Sequence, residues 1–224
     1  HRTVKGVTGL DLTSLVIGSE GILGVVVGAT LKLRRLVPGE VCTIAATFTD
    51  VGTAASACSA VTATGLQPAI MELLDAAALT AIHELLGLAA PTPGAAHVTI
   101  QTDGAAAAAD AAAITAVLEA AGGTVAVSTD RDEGERLLAI RRSVHPAMAR
   151  LGTTLIEDVS VPRSALAAMF ARIADIERRY GLVIPTVAHA GDGNLHPNFI
   201  FDGPDVPAAI WEAADELFRA ALEL

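Results

Sequence analysis

Two apolar, β-branched runs flank the segment His189-Ala190-Gly191-Asp192-Gly193-Asn194-Leu195-His196-Pro197: Leu182-Val183-Ile184 with Thr186-Val187-Ala188 before it, Asn198-Phe199-Ile200-Phe201 after it. Gly191, Gly193 and Pro197 exclude a helix there. Asp-Gly between such runs signals a hairpin, because glycine accepts the positive φ of a tight reversal and Asp bonds its own backbone. With Asp192 and Gly193 as the central pair of a symmetric two-residue turn, His189 and His196 fall directly opposite one another. Directly opposed residues have Cβ atoms about 4.5 to 5.5 Å apart, so both imidazoles can reach one ion at about 2.1 Å. An exposed polar hairpin is the alternative reading. The two glycines, Asp192 and Asn194 between the histidines favour instead a backbone that approaches something closely.

The rest of the chain alternates strand-like and helix-like stretches. Val41–Phe48 reads as a strand, and Asp50 caps a helix of small residues that Gly65 ends. Leu66–Met71 reads as a strand and Glu72–Leu86 as a helix stopped by Gly87, with Glu72 and Asp75 as structural acids in its first turn. His97–Thr102, Thr124–Ser128 and Thr154–Val161 read as strands. Helices are expected over the alanine-rich stretch ending at Gly122-Gly123, over Glu133–Leu151, over Ser164–Tyr180 with Ser164 as cap, and over Pro207–Leu224. A hairpin together with adjacent helices predicts an α+β fold with an antiparallel or mixed sheet covered by helices, the runner-up being a doubly wound parallel sheet. Pro38-Gly39 marks the passage from a glycine-rich, strand-like opening to this body. Val25–Leu33 is the strand expected in that opening. The opening residues read as mid-protein sequence and the last helix has no stop signal, so the chain is expected to be a piece of a longer one.

Composition narrows the function classes. With 224 residues, 52% hydrophobic and 18% charged, the chain is globular rather than disordered. A net charge of −10 and 3% aromatic content argue against a nucleic-acid partner. The longest apolar stretch, Leu15–Leu33, is interrupted by Ser19, Glu20 and glycines, so no transmembrane segment is expected. Cys42 and Cys58 form no CxxC and sit among apolar residues, which suits core positions in a reduced, cytoplasmic protein.

A second motif, Gly18-Ser19-Glu20-Gly21-Ile22-Leu23-Gly24, spaces glycines every third residue. Gly18, Ser19, Glu20, Gly21 and Gly24 could bring backbone amides to a flat or anionic ligand, or could form a plain turn entering a strand. Together with Arg2-Thr3-Val4-Lys5 and Gly9-Leu10-Asp11-Leu12-Thr13, this motif resembles the end of the FAD-binding domain in FAD-linked oxidases of the vanillyl-alcohol oxidase superfamily. The later HAGDGNLHP run resembles the cap-domain motif of that superfamily's D-2-hydroxy acid dehydrogenase branch. Pro68–Asp75, Ile140-Arg141-Arg142-Ser143 and Glu157–Pro162 fit the same pattern.

The resemblance implies a remnant of the FAD-binding domain over residues 1–38 and a ferredoxin-like, substrate-binding cap domain, truncated, over 39–224. It implies FAD as cofactor and a D-2-hydroxy acid of the lactate, glycolate or 2-hydroxyglutarate type as substrate. His189 and His196 become ligands of a divalent metal, Zn, Mn or Fe, and Asn194 a contact to flavin or substrate. Arg141 becomes the clamp on the substrate carboxylate, a task suited to a planar, permanently charged fork. Leu138 stands where relatives often carry tryptophan. Glu157 and Asp158 border the metal site, although an ion-paired role suits them better, and His83, His97 and His145 have no partner at ligand spacing. In the family, a Glu-His segment beyond the hairpin completes the metal site, and Leu224 comes before it. The fragment alone is expected to be inactive, and the residues specify neither the electron acceptor nor an oligomeric state. The rival readings are a non-catalytic α+β metal-binding or assembly domain and a flavin-free metallohydrolase.

Overall fold

The computed structural model describes residues 5–33, 35 and 38–224. Arg2, Thr3 and Val4 of the opening run therefore lie outside the described residues. The chain divides into two compact units, His1–Leu36 and Val37–Leu224.

The first unit holds a short helix, α1 (Leu12–Val16), that the sequence reading did not anticipate. Asp11 starts it: Oδ1 accepts from the Ser14 amide at 3.2 Å and Oδ2 from the Ser14 hydroxyl at 2.7 Å. The glycine motif follows as a turn, with Gly18 at φ 82°, Gly21 at φ 85° and Glu20 itself at φ 48°. The expected strand over Val25–Leu33 does not form among the described residues. A strand exists only by pairing its amides and carbonyls, and none of the sheet strands pairs with this run.

The second unit begins with β1 (Glu40–Phe48), then α2 (Val51–Ala63), β2 (Ile70–Leu74), α3 (Ala76–Leu86), β3 (Ala96–Gly104), α4 (Ala107–Ala120) and β4 (Thr124–Ser128). It continues with α5 (Arg131–Arg142), α6 (Val144–Leu151), β5 (Thr153–Ile156), β6 (Val159–Ser160), a 3-10 turn (Arg163–Ala165), α7 (Leu166–Tyr180), β7 (Thr186–His189), β8 (Asn194–Phe201) and α8 (Ala208–Glu223). The strands form one sheet in the order β4-β1-β3-β2-β7-β8-β5, with β6 also on β8. Every pair is antiparallel, so the fold is α+β and the parallel alternative is excluded. The order β4-β1-β3-β2 is that of a ferredoxin-like unit, in which each helical crossover skips one strand; here α3 is inserted between β2 and β3.

Four boundaries differ from expectation, each for a local reason. Strand β2 runs on through Glu72 because the helix starts later: Asp75, not Glu72, is the N-cap, its Oδ1 accepting from the Ala78 amide at 2.8 Å. The helix expected over Glu133–Leu151 is two, α5 and α6, divided at Ser143. Pro146 lies in the first turn of α6, where its ring has no place for an unbroken helical carbonyl at Arg142. The strand expected over Thr154–Val161 is also two, since Pro197 of β8 accepts from the Glu157 amide but has no N–H to return: β5 pairs with residues 198–201 and β6 with 194–195. Ser164 does not cap α7, which instead follows a 3-10 turn without a side-chain cap.

Alternation gives the sheet two unlike faces. Ile44, Met71, Leu73, Val98, Ile100, Ala188, Leu195 and Phe199 point into the main core, which is closed by α2, α4, α7 and α8. Cys42 and Cys58 are buried free thiols in that core, and burial pushes the Cys58 thiol up to about 12. The opposite face carries polar side chains along its middle strands. There Leu74 and Val187 meet α3 and α6 in a second, smaller cluster with Ala78, Ile82, Val144 and Met148. That face holds the candidate site.

Candidate functional site

The hairpin forms, but not in the expected register. Strands β7 and β8 pair His189 with Asn194 and Val187 with His196, leaving a four-residue loop, Ala190–Gly193. A two-residue turn of the expected type needs positive φ at both central residues, and Asp192 does not have it. Instead the His189 carbonyl accepts from the amides of Asp192 (3.1 Å) and Gly193 (3.0 Å), and the Asp192 carboxylate accepts from the Asn194 amide at 3.0 Å. Only Gly193 needs the positive φ, at 90°. A Cβ there would stand 2.1 Å from the Val161 carbonyl oxygen, so the close approach that the glycines signal is to the chain's own β6 end.

The register change moves each partner by two residues, which leaves the facing unchanged. His189 and His196 are therefore diagonal neighbours on one face rather than opposite each other. Their ring centroids lie 5.2 Å apart with the planes at 86°.

Strand β2 lies on the other side of β7 and pairs Glu72 with His189. Asn194, His189 and Glu72 thus form one row across three strands. Glu72 makes the decisive contacts: Oε1 is 2.7 Å from His189 Nδ1 and Oε2 accepts from Arg141 Nε at 2.8 Å. Its side chain is 13% exposed, against 34% for His189 and 29% for Arg141. A carboxylate offers only acceptors, so in the neutral ring Nδ1 of His189 is the protonated nitrogen and Nε2 carries the lone pair. Among the described residues, nothing pairs with Nε2 of either histidine or with the two Nη atoms of Arg141. Asp158 Oδ2 stands 3.7 Å from His196 Nδ1, an ion-pair distance too long for a hydrogen bond.

Arg141 reaches the sheet because Gly134, Leu138 and Arg141 share one face of α5. Gly134 permits the close packing: a Cβ would lie 2.8 Å from Thr43 Oγ1 of β1. Leu138 is buried. The β2–β7 pairing is extended past the end of β2 by Asp75, whose amide donates to the Thr186 carbonyl at 3.2 Å and whose Oδ2 accepts from the Thr186 amide at 2.7 Å. Desolvation, with the nearby Glu177 charge, outweighs these amide bonds and pushes the Asp75 carboxyl up to about 7.

The structure thus brings Arg141, His189, His196 and Asn194 to one polar face. The Oδ1 atom of Asn194 is buried there without a hydrogen-bond partner among the described residues. Gly18, Ser19, Glu20, Gly21 and Gly24 belong to the first unit, where they form the exposed turn described above. Sequence reasoning missed Glu72, which it took for a helix-opening acid. The available signal was period-two alternation through Met71-Glu72-Leu73, a charged residue between two buried ones. His83 bonds the Ala89 carbonyl (2.6 Å), His97 is buried against Thr99, and His145 is exposed, so none joins the site.

No group of three or more His, Cys, Asp or Glu side chains arranged to hold a metal ion exists among the described residues. The pair that is present fits part of such a centre. His189 has the arrangement common to metal-ligating histidines, with one ring nitrogen on a carboxylate and the other free, and His196 stands beside it.

The family described as FAD linked oxidases, C-terminal domain, matches residues 37–224. The chain is 38% identical over 230 residues to the glycolate oxidase subunit GlcD of Bacillus subtilis (strain 168), covering all of this chain and 48% of that protein. It is 32% identical over 214 residues to the mitochondrial D-lactate dehydrogenase (cytochrome) of Arabidopsis thaliana, covering 90% of this chain and 36% of that protein. It therefore spans half or less of the length of these relatives. An alkyldihydroxyacetonephosphate synthase structure shares the fold, with a TM-score of 0.64 at 14% identity over 96% of this chain and 44% of that one. No described helix is long and apolar enough to cross a membrane. With its family pattern matched from residue 37 to residue 224, this chain belongs to the FAD-linked oxidases and carries their C-terminal domain.

Proposed function

We propose that the chain is the substrate-binding cap portion of a flavin-dependent enzyme that oxidises a D-2-hydroxy acid of the glycolate, lactate or 2-hydroxyglutarate type to the 2-oxo acid. The observation that carries this reading is the polar sheet face on which Arg141, both Nη atoms unpaired among the described residues, stands on the same carboxylate as His189, with His196 beside it. The names of the relatives, a glycolate oxidase subunit and a D-lactate dehydrogenase, support the substrate class. In this reading residues 1–38 close the FAD-binding domain, and residues 39–224 are the cap. Gly18, Ser19, Glu20, Gly21 and Gly24 contribute to binding the flavin, and Asn194 is a contact to flavin or substrate. The reduced, buried Cys42 and Cys58 suit a cytoplasmic protein.

Arg141 binds the substrate carboxylate end-on through its two Nη groups, since Nε is already held. His189 and His196 would hold a divalent ion, and the site would need a further ligand beyond these two. When bound, FAD supplies the two-electron acceptor and the ion supplies Lewis-acid polarisation of the substrate hydroxyl and carboxylate. Orientation of the α-carbon is what the cap residues contribute, and near-attack geometry of this kind accounts for a large part of a barrier reduction. Anaerobic mixing of the full-length flavoprotein with D-lactate, glycolate or D-2-hydroxyglutarate should bleach the flavin band with one of them. His196→Ala should abolish turnover while flavin stays bound; an unaffected rate removes His196 from the site.

A further inference from the structure

We propose that Glu72 is a positioning residue that sets both the tautomer of His189 and the orientation of Arg141, and so couples the metal side of the site to its carboxylate side. The proposal rests on the functional reading above but is carried by geometry that stands without it. Glu72 is the most buried of the three side chains, and its two oxygens are divided between two donors on different elements: Arg141 Nε from α5 and His189 Nδ1 from β7. It is also the residue paired with His189 in the sheet, so its backbone and its side chain meet the same partner.

The division has chemical consequences. By accepting from Nδ1–H, Glu72 keeps the ring in the tautomer whose Nε2 lone pair is free, the one a metal requires. By taking Nε of Arg141, it leaves the opposite, Nη edge of the guanidinium for an incoming carboxylate. A second acceptor in place of Glu72 would have to serve both donors at once. Glutamine, with the same shape, cannot: its carbonyl oxygen serves one donor while its NH2 must face the other. Arginine has no acceptor to offer. The amide therefore donates to His189 Nδ1, which can accept only if the proton moves to Nε2, and the ligating lone pair is lost.

The full-length protein, labelled with 15N-histidine, stripped of metal and held at a pH where the imidazoles are neutral, gives a readout independent of activity. The His189 signals are assigned by their loss in His189→Asn. The wild type is expected to show the Nδ1–H tautomer and Glu72→Gln the Nε2–H tautomer. Zn2+ affinity of the flavin-loaded protein, measured by chelator competition, should fall about 10- to 100-fold in Glu72→Gln. If that variant does not fold, Glu72→Ala, which supplies no acceptor, should show mixed tautomers. The same Nδ1–H tautomer in wild type and variant, or a wild type already in the Nε2–H form, overturns the proposal. If the tautomer switches but His189→Ala binds Zn2+ as tightly as the wild type, Glu72 still positions the ring and the metal-ligand reading is what fails.

Discussion

His97 shows that the polar sheet face contains histidines of two kinds. It lies on β3, is buried, and holds Thr99 Oγ1 at 3.1 Å, whereas His189 and His196 are about a third and a quarter exposed. Burial, with the neighbouring His83, holds the His97 pKa down to about 4 from a usual 6.5. Below pH 6.5 the unfolded chain takes up a proton at this position and the folded chain does not. Stability from His97 is thus complete above about 6.5 and is lost as pH falls toward 4, by up to about 3 kcal/mol. Asp75 acts in the opposite sense: with its folded pKa raised to about 7, the folded state binds the proton first, so its share of stability grows as pH falls from 7 to 4. Denaturant titrations of the wild type and His97→Gln isolate the histidine. The stability of the variant relative to the wild type should rise by about 3 kcal/mol between pH 7 and pH 4, and a constant difference refutes the assignment.

The hairpin shows what was legible in the residues and what was not. Glycines and a proline between β-branched runs require a reversal, and period-two alternation puts both histidines on one face whether the loop has two residues or four. Loop length depends on something no local pattern shows: Gly193 is pressed against the Val161 carbonyl, a contact made across β6. Pro197 likewise reads as a simple strand residue, although it divides the facing strand into β5 and β6. Glu72 was hidden for a related reason, since an acid followed by Asp75 and small residues looks like a helix start until its pairing with His189 is known. Arg141 was legible only through the family pattern, because a lone helical arginine is ordinarily a surface residue. Gly193→Ala tests the hairpin directly. Positive φ and the clash at Val161 should cost about 2 to 4 kcal/mol and detach β6 from β8, seen as lost hydrogen-exchange protection at Val161, whose amide donates to the Gly193 carbonyl at 3.0 Å. Unchanged protection there contradicts the packing.

At the scale of the molecule, the sheet divides labour between its faces. One face is an apolar core built with α2, α4, α7 and α8, and most of the large buried side chains lie there. The other face is polar along its centre: α3 and α6 cover one part of it around Leu74 and Val187, and α5 brings Arg141 to Glu72. A chain with a net charge of −10 thus presents an arginine and two imidazoles together on one sheet face: local placement on a rigid sheet, not overall charge, sets what such a face can bind. The family match runs from residue 37 onward, and the fold is shared even with a synthase structure at 14% identity. In the proposed function, Arg141 is the residue that recognises the acid. That role is tested most directly by anaerobic reduction of the full-length flavoprotein across a concentration series of the bleaching acid, in wild type and Arg141→Lys. Loss of the bidentate fork should raise the concentration needed for half-maximal reduction rate about 10- to 100-fold, with flavin content unchanged; equal concentrations for the two proteins would contradict it.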